Sequence, residues 1–302
     1  MSELRFDGRS VIVTGAGRGV GRGHAMAFAS RGAKVVVADL GGAMEGGGRS
    51  SEVADAVVQE IRDAGGEAVA ACASVAEEDG AEAIVQAAID AFGRVDVVVN
   101  NAGIAEPDSF EDLTVEGFQR MNDVHYMGTV LVCRAAWPHM VAAGYGRIVN
   151  TTSEGAFGLV PKAAAYGGAK GGVFGFSREI ALEGAPKGIL VNLLAPRAAT
   201  RMSSPAVLAK TWDVDEGTYG GGGFDQAYAP EKVSPAAVFL GHESCALNGV
   251  VLVSGGDQVM RIALVQNTGI KTEGLTPEDI ADNLDTLMDL GEATEIEVHG
   301  LR

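Results

Sequence analysis

Ser153, Tyr166 and Lys170 carry, by type and spacing, the groups that a proton-coupled redox step at an alcohol needs. A tyrosine that exchanges a proton near neutral pH must have its pKa brought down from about 10. A lysine four residues on lies on the same helix face, where its positive charge favours the phenolate. Ser153, thirteen positions before Tyr166, offers a hydroxyl to hold a substrate oxygen. Upstream, Thr14 to Gly21 reads Thr-Gly-Ala-Gly-Arg-Gly-Val-Gly, directly after the apolar run Val11-Ile12-Val13. Glycines after a strand and at the start of a helix let the backbone approach a pyrophosphate, which the helix N-terminus stabilises. Gly15, Gly19 and Gly21 are those glycines. The two segments together point to a hydride-transfer enzyme that works with a nucleotide.

Asp39 refines the nucleotide. It closes the run Val35-Val36-Val37-Ala38, where an acidic residue accepts hydrogen bonds from the adenosine ribose and repels a 2′-phosphate. NAD is therefore expected over NADP. Arg18 and Arg22 favour a phosphorylated cofactor, but neither removes the repulsion from Asp39.

These residues need a frame. Val11 to Val13, Val35 to Ala38 and Val95 to Val99 are short apolar runs that fit strands buried on both faces. Helical patterns lie between them at Gly23 to Ser30, Ser51 to Ala64 and Glu82 to Phe92. Further alternation follows: Val115 to Ala143, Arg147 to Thr151, Tyr166 to Glu183, Ile189 to Leu194 and Val250 to Ser254. Repeated strand–helix units predict an α/β fold, a doubly wound parallel sheet of Rossmann type. The expectation is a single domain, residues 1–260, with a helical extension, 261–302, packed on it. Arg201 to Glu231, with Trp212 and the run Gly220 to Gly223, breaks the rhythm and reads as a substrate lid. Gly41 to Gly48 is a second glycine-rich loop.

The 302 residues carry a net charge of −17 with acids spread throughout. Such a field disfavours nucleic acid or an anionic membrane as partner. Cys72, Cys133 and Cys245 make neither a metal-ligand spacing nor a disulfide framework, so buried reduced thiols and no metal are expected. The residues before the first strand are polar and read as no signal peptide, and apolar runs fall short of a membrane helix. A cytoplasmic protein is the expectation.

Thr14 to Gly21, Asn100-Asn101-Ala102-Gly103, Ser153 and Tyr166-x-x-x-Lys170 together resemble the short-chain dehydrogenase/reductase family. Val37 to Gly42, Arg134 to Met140 and His242 to Cys245 are similar, more closely, to the (3R)-hydroxyacyl-CoA dehydrogenase branch. That branch includes part of peroxisomal multifunctional enzyme type 2 and free-standing bacterial relatives. The resemblance implies Ser153 on the substrate oxygen, Tyr166 as general acid/base and Lys170 on the nicotinamide ribose. It implies a cofactor surface of Gly15, Arg18, Gly19, Val20, Gly21, Asp39, Leu40, Ser74, Val75, Asn101, Ala102, Gly103, Tyr166, Lys170 and Pro196. The implied substrate is a small molecule, a 3-hydroxyacyl-CoA, with a steroid or other bulky apolar alcohol as alternative. A silent nucleotide-sensing or scaffold protein of the same fold is the rival from another class.

Three positions depart from the family's pattern. His125 stands three before Gly128, where the family has a relay asparagine; it either binds a water, with a pKa near 6.5 adding a charge switch, or only packs the helix. Ala73 replaces an aspartate near the adenine. Pro196-Arg197 replaces Pro-Gly, leaving Arg197 and Arg201 either to meet an acidic or phosphorylated part of a substrate or to be solvated.

A homo-oligomer, dimer or tetramer, is expected because Val130, Val132, Val173, Phe174 and Phe176 make two long helices apolar on several sides. In the extension, Thr276 and Asp279 predict a helix cap. Ile280, Leu284 and Leu287 predict an apolar face, which either packs on the sheet edge or closes the substrate pocket.

Overall fold

The computed structural model describes residues 3–43, 47–215 and 226–298. Part of the Gly41 to Gly48 loop and part of the expected lid, including Gly220 to Gly223, lie outside the described residues. Among the described residues, β1 Ser10–Thr14, β2 Lys34–Ala38, β3 Glu67–Ala71, β4 Val97–Asn100, β5 Gly146–Thr151, β6 Ile189–Pro196 and β7 Val251–Gly255 run parallel. β8, Gln258–Ile262, closes the sheet antiparallel to β7. The order is β3-β2-β1-β4-β5-β6-β7-β8. The chain reverses direction across the sheet between β1 and β4, which opens a crevice at the carboxyl ends of those strands.

Alternation along each strand builds a core layer on either face. Val11, Val13, Val35, Val37, Val97 and Val99 meet α1 Gly19–Ala29, α2 Glu52–Asp63 and α8 Ser234–Gly241 through Phe28, Ile61 and Leu240. Ile12, Val36 and Val98 face the other way. They meet α3 Glu78–Phe92, α5 Gly128–Ala143 and α6 Ala164–Gly184 through Ile84, Met140 and Ala181. α2 shows why such segments fold as helices: Ala54, Val57, Val58 and Ile61 recur at i, i+3, i+4 and i+7 and are all buried. Burying each large apolar side chain contributes roughly 1.5–3 kcal/mol.

The structure differs from the sequence expectation in several places. The helix expected over Val115 to Ala143 is α4 Val115–Asn122 and α5, joined by a π turn, Asp123–Met127. Val132 and Val173 are fully buried in the chain's own core, so they leave no face for a partner. β8 starts before residue 260, so the sheet itself runs across the expected domain boundary. Beyond it, β9 Val265–Gln266 pairs with β10 Thr294–Glu295 around α9 Pro277–Asp282 and α10 Leu284–Met288.

Thr276 caps α9 as its sequence predicts, in a reciprocal box with Asp279. The helix then breaks at Asn283, and Ile280 and Leu284 remain 45% and 55% exposed, so their expected apolar face does not pack on the sheet edge. The cysteines are free; Cys133 and Cys245 are buried and Cys72 half-buried.

One polar group crosses the core. Asn150 of β5 accepts from Asn100 Nδ2 at 2.9 Å and donates to Ser177 Oγ at 2.8 Å, and Ser177 donates to Val173 O at 2.6 Å. Asn150→Ala leaves buried groups on both sides without this partner. It should cost about 2–4 kcal/mol, read as a lower urea midpoint at unchanged slope. A midpoint equal to the parent's would show that the network contributes no stability.

Candidate active site

The crevice is built first by backbone approaching backbone. Thr14 Oγ1, at the end of β1, accepts from the N–H groups of Asn101 and Ala102, both at 3.0 Å. Asn101 Nδ2 returns a bond to Thr14 O at 3.0 Å. A Cβ on Gly15 would stand 2.8 Å from Ala102 Cα, and one on Gly21 would overlap Gly15 O. Only glycine permits both approaches, and Gly19 adds a left-handed φ of 52°. α1 starts at Gly19 with no side-chain cap and no acidic residue in its first turn. Its N–H groups and dipole are therefore available to an anion. This cradle fits the pyrophosphate of a dinucleotide.

Asp39 reaches the same loop. Its Oδ2 accepts from Gly17 N at 2.8 Å and its Oδ1 from Gly41 N at 2.7 Å, which fixes the carboxylate at the end of β2. Arg22 is ion-paired with Glu60, and Arg18 is exposed. Leu40 follows Asp39, and Ser74 and Val75 follow β3 on the same edge. Gly128 packs on Val75, where a Cβ would come within 2.8 Å of Cγ2. Ala73, in place of an acid, packs against the core layer.

The reactive end lies at β5 and α6. Ser153 leaves β5 and its Oγ accepts from Gly155 N at 3.1 Å, capping the 3-10 turn Glu154–Phe157. Gly167 at the start of α6 lies on Gly155, where a Cβ would stand 2.7 Å from the carbonyl oxygen. That close contact brings Tyr166 against the Ser153 turn. Lys170 is buried, with Nζ donating to Thr151 O at 2.6 Å and lying 5.9 Å from the Tyr166 ring centroid. The structure thus gathers Ser153, Tyr166 and Lys170 beside the glycine cradle. Pro196 ends β6 on the same side.

The electrostatics depart from the simple expectation that Lys170 lowers the phenol. Burial pushes Lys170 down from 10.5 to about 7. Burial also raises Tyr166 above 10, opposed by a hydrogen bond with Ser153. Burial thus weakens the cation that the spacing alone would set beside the phenol, and it favours the protonated phenol.

His125 sits in the π turn, buried, with Nε2 donating to Ile104 O at 2.8 Å. Its ring meets Tyr166 edge-on, 5.1 Å between centroids at 89°. Gly103 makes room, since a Cβ there would stand 2.5 Å from His125 Cε1. Burial, with Lys170 nearby, holds the imidazole well below 6.5. Burial thus works against the charge switch expected from a free imidazole, and the ring packs against both the Ile104 backbone and Tyr166.

Two features escaped the sequence. Arg197 is held by Glu154 in a two-bond fork, Nε to Oε2 at 2.7 Å and Nη2 to Oε1 at 2.6 Å, and is not free for a substrate. A cavity of about 480 Å³, lined by Phe110, Gly155, Val160, Lys162, Gly167 and Gly168, opens beside Tyr166. Another of about 500 Å³ lies at the amino end of the sheet among Arg5, Arg9, Arg94 and Glu243. That one is remote from the residues above, and its walls are ion-paired.

A sequence profile described as short chain dehydrogenase matches residues 9–208. The chain is 46% identical over 266 residues to a putative short-chain type dehydrogenase/reductase of Mycobacterium tuberculosis, covering 86% of this chain and 87% of that one. It is 42% identical over 299 residues to mouse peroxisomal multifunctional enzyme type 2, covering 97% of this chain. It spans only 38% of the length of that mouse relative. The crystal structure of a short chain dehydrogenase from Mycobacterium avium superposes with a TM-score of 0.77 at 35% identity, covering 96% of each chain. The full-length Drosophila melanogaster multifunctional enzyme gives 0.76 at 30% identity, covering 97% of this chain and 48% of its own.

Because His125 packs against Ile104 and Tyr166 and burial works against its charge, His125→Asn should keep much of the turnover. His125→Ala, which frees both, should lose up to about 10²-fold. The pH–rate profiles of parent and His125→Asn should have the same shape between pH 6 and 9. An inflection near 6.5 in the parent that vanishes in His125→Asn would show that the ring titrates in the working range.

Proposed function

The chain belongs to the short chain dehydrogenase family, and we propose that it exchanges hydride between NAD and the 3-position of a hydroxyacyl or oxoacyl thioester of CoA. That it is an oxidoreductase of CH–OH groups follows from the family. The proposal concerns NAD, the substrate and the residue roles. One observation carries the roles: Ser153, Tyr166 and Lys170 converge beside a glycine cradle open to an anion.

The nicotinamide supplies the hydride acceptor or donor when bound. Tyr166 gives its proton to the substrate oxygen in reduction and takes it in oxidation, while Ser153 holds that oxygen. In reduction the phenol must start protonated, the form that its burial favours. Lys170, titrating near 7, is poised to replace that proton at working pH. The cradle residues Gly15 to Gly21 and Asn101 to Gly103 hold the dinucleotide, with Leu40, Ser74 and Val75 at its adenosine end and Pro196 at its nicotinamide end.

Asp39 supports NAD, because a carboxylate fixed at the end of β2 repels a 2′-phosphate, and Arg22 is engaged by Glu60. The CoA thioester draws on the likeness to the hydroxyacyl-CoA branch and not on free local charge: Lys162 lines the cavity with Glu111 but is paired with Asp213, and Lys210 of α7, Pro205–Trp212, is paired with Asp108. We also place a second copy of the chain on the outer faces of α5 and α6, where Val141 and Leu182 are exposed.

Tyr166→Phe should remove about 10²–10⁴-fold of kcat with NADH affinity nearly unchanged, measured with a panel of hydroxyacyl-CoA and other secondary alcohols. Undiminished turnover would mean that the proton travels elsewhere, and a parent inert towards every alcohol would favour the silent scaffold.

The cofactor preference is read separately. The parent should have much higher kcat/KM with NAD than with NADP, and Asp39→Ser should narrow that ratio. Equal efficiency with both cofactors in the parent would sink the assignment.

A further inference from the structure

Glu154 follows Ser153 directly, and Arg197 follows Pro196. β5 and β6 are paired in parallel with Thr151 opposite Leu194. A ladder bond beyond that pair runs from Thr152 N to Leu194 O at 2.9 Å. Past it the two chains part. The Ser153 segment turns into the 3-10 turn towards α6, while Arg197 is carried by β7, its N–H donating to Ser254 O at 2.8 Å. Gly255 packs on Arg197 so closely that a Cβ would overlap the carbonyl oxygen. The arginine backbone is thereby fixed, and its guanidinium reaches back across the parting strands to grip both oxygens of Glu154.

We propose that the Glu154–Arg197 fork is a positioning pair, replacing the backbone ladder where β5 and β6 separate and holding Ser153 against Tyr166. The inference rests on the oxidoreductase reading of the site. Three features support it. The fork makes two parallel charge-assisted bonds, a geometry that fixes orientation and that lysine does not reproduce. The residue it anchors through is the neighbour of Ser153, whose hydroxyl accepts from Gly155 N and whose turn lies against Tyr166, where a Cβ on Gly155 would stand 3.4 Å from Cδ1. The pair is also partly exposed, with side chains 39% and 25% accessible. An ion pair that exposed contributes little to stability, about 0–1 kcal/mol, so its effect on geometry can be separated from its effect on folding.

The test uses Glu154→Gln, Arg197→Lys and the reversed pair Glu154→Arg with Arg197→Glu, all in the full chain. The phenol of Tyr166 is titrated by ultraviolet difference against Tyr166→Phe in each background, which needs no substrate. kcat and KM are measured with any secondary alcohol that the parent turns over. Glu154→Gln should keep its thermal midpoint within about 3 °C. It should lose about tenfold in kcat with KM for NAD within about twofold, since only Ser153 is displaced. Its Tyr166 should titrate higher than the parent's, because Ser153 no longer favours the phenolate. The reversed pair should recover part of both effects, and Arg197→Lys should fall between. A Tyr166 titration and kcat equal to the parent's in Glu154→Gln would overturn the proposal, whatever the midpoint does. If the parent turns over no alcohol, the phenol still decides: a raised Tyr166 sustains the positioning role while the oxidoreductase reading falls, and an unmoved one overturns it.

Discussion

The site depends on one small junction, the Thr14 hydroxyl. It accepts two backbone N–H groups from the segment leaving β4, and so ties two strands together at the place where the connections diverge to opposite faces of the sheet. Without that tie, the N–H groups of Asn101 and Ala102 would lose the acceptor that holds the segment leaving β4 against the end of β1. With it, Gly15 can lie on Ala102, α1 can start with its N–H groups facing the gap, and Gly103 can bring its segment against His125. Each later contact uses a position set by the one before.

Burial shapes the reactive side chains as strongly as proximity does. Lys170 and Tyr166 are four residues apart on one helix, which by itself brings a cation to a phenol. The helix also carries Lys170 into the protein, where desolvation drains the charge that would act on its neighbour. His125 follows the same logic. The polar groups around this site are held at backbone points, Lys170 at Thr151 O, His125 at Ile104 O and Ser153 at Gly155 N.

The sheet, its hinge of glycines and the Ser153, Tyr166 and Lys170 set were legible because each leaves a local mark: apolar runs, forced glycines, a fixed spacing. β8 was not, since Gln258 to Ile262 lies on an exposed edge and reads as mixed polarity. The π turn was hidden because the helices on either side continue the same helical pattern and a single inserted position leaves no mark in it. Arg197 was misjudged for a different reason. Its partner Glu154 is 43 positions away, and no pattern along a chain records which carboxylate a loop arginine will find. The α9 cap was read correctly from Thr276 and Asp279, whereas the coverage of Ile280 was not, because capping is a local matter and burial depends on what lies opposite.

The π turn decides what the chain presents between two helices. Each residue of an α-helix advances about 100° around the axis, and the wider turn at Asp123 to Met127 absorbs one such advance between α4 and α5. Removing one residue there would let the two helices merge into one regular rod of ordinary stability. Because the wide turn takes up one residue more than a regular turn, α5 would keep its orientation and Gly128 its place on Val75, while a different side chain would stand where His125 meets Tyr166. The extra residue is therefore spent locally: the core contacts of α5 do not need it, and what it sets is which side chain the turn presents to Tyr166.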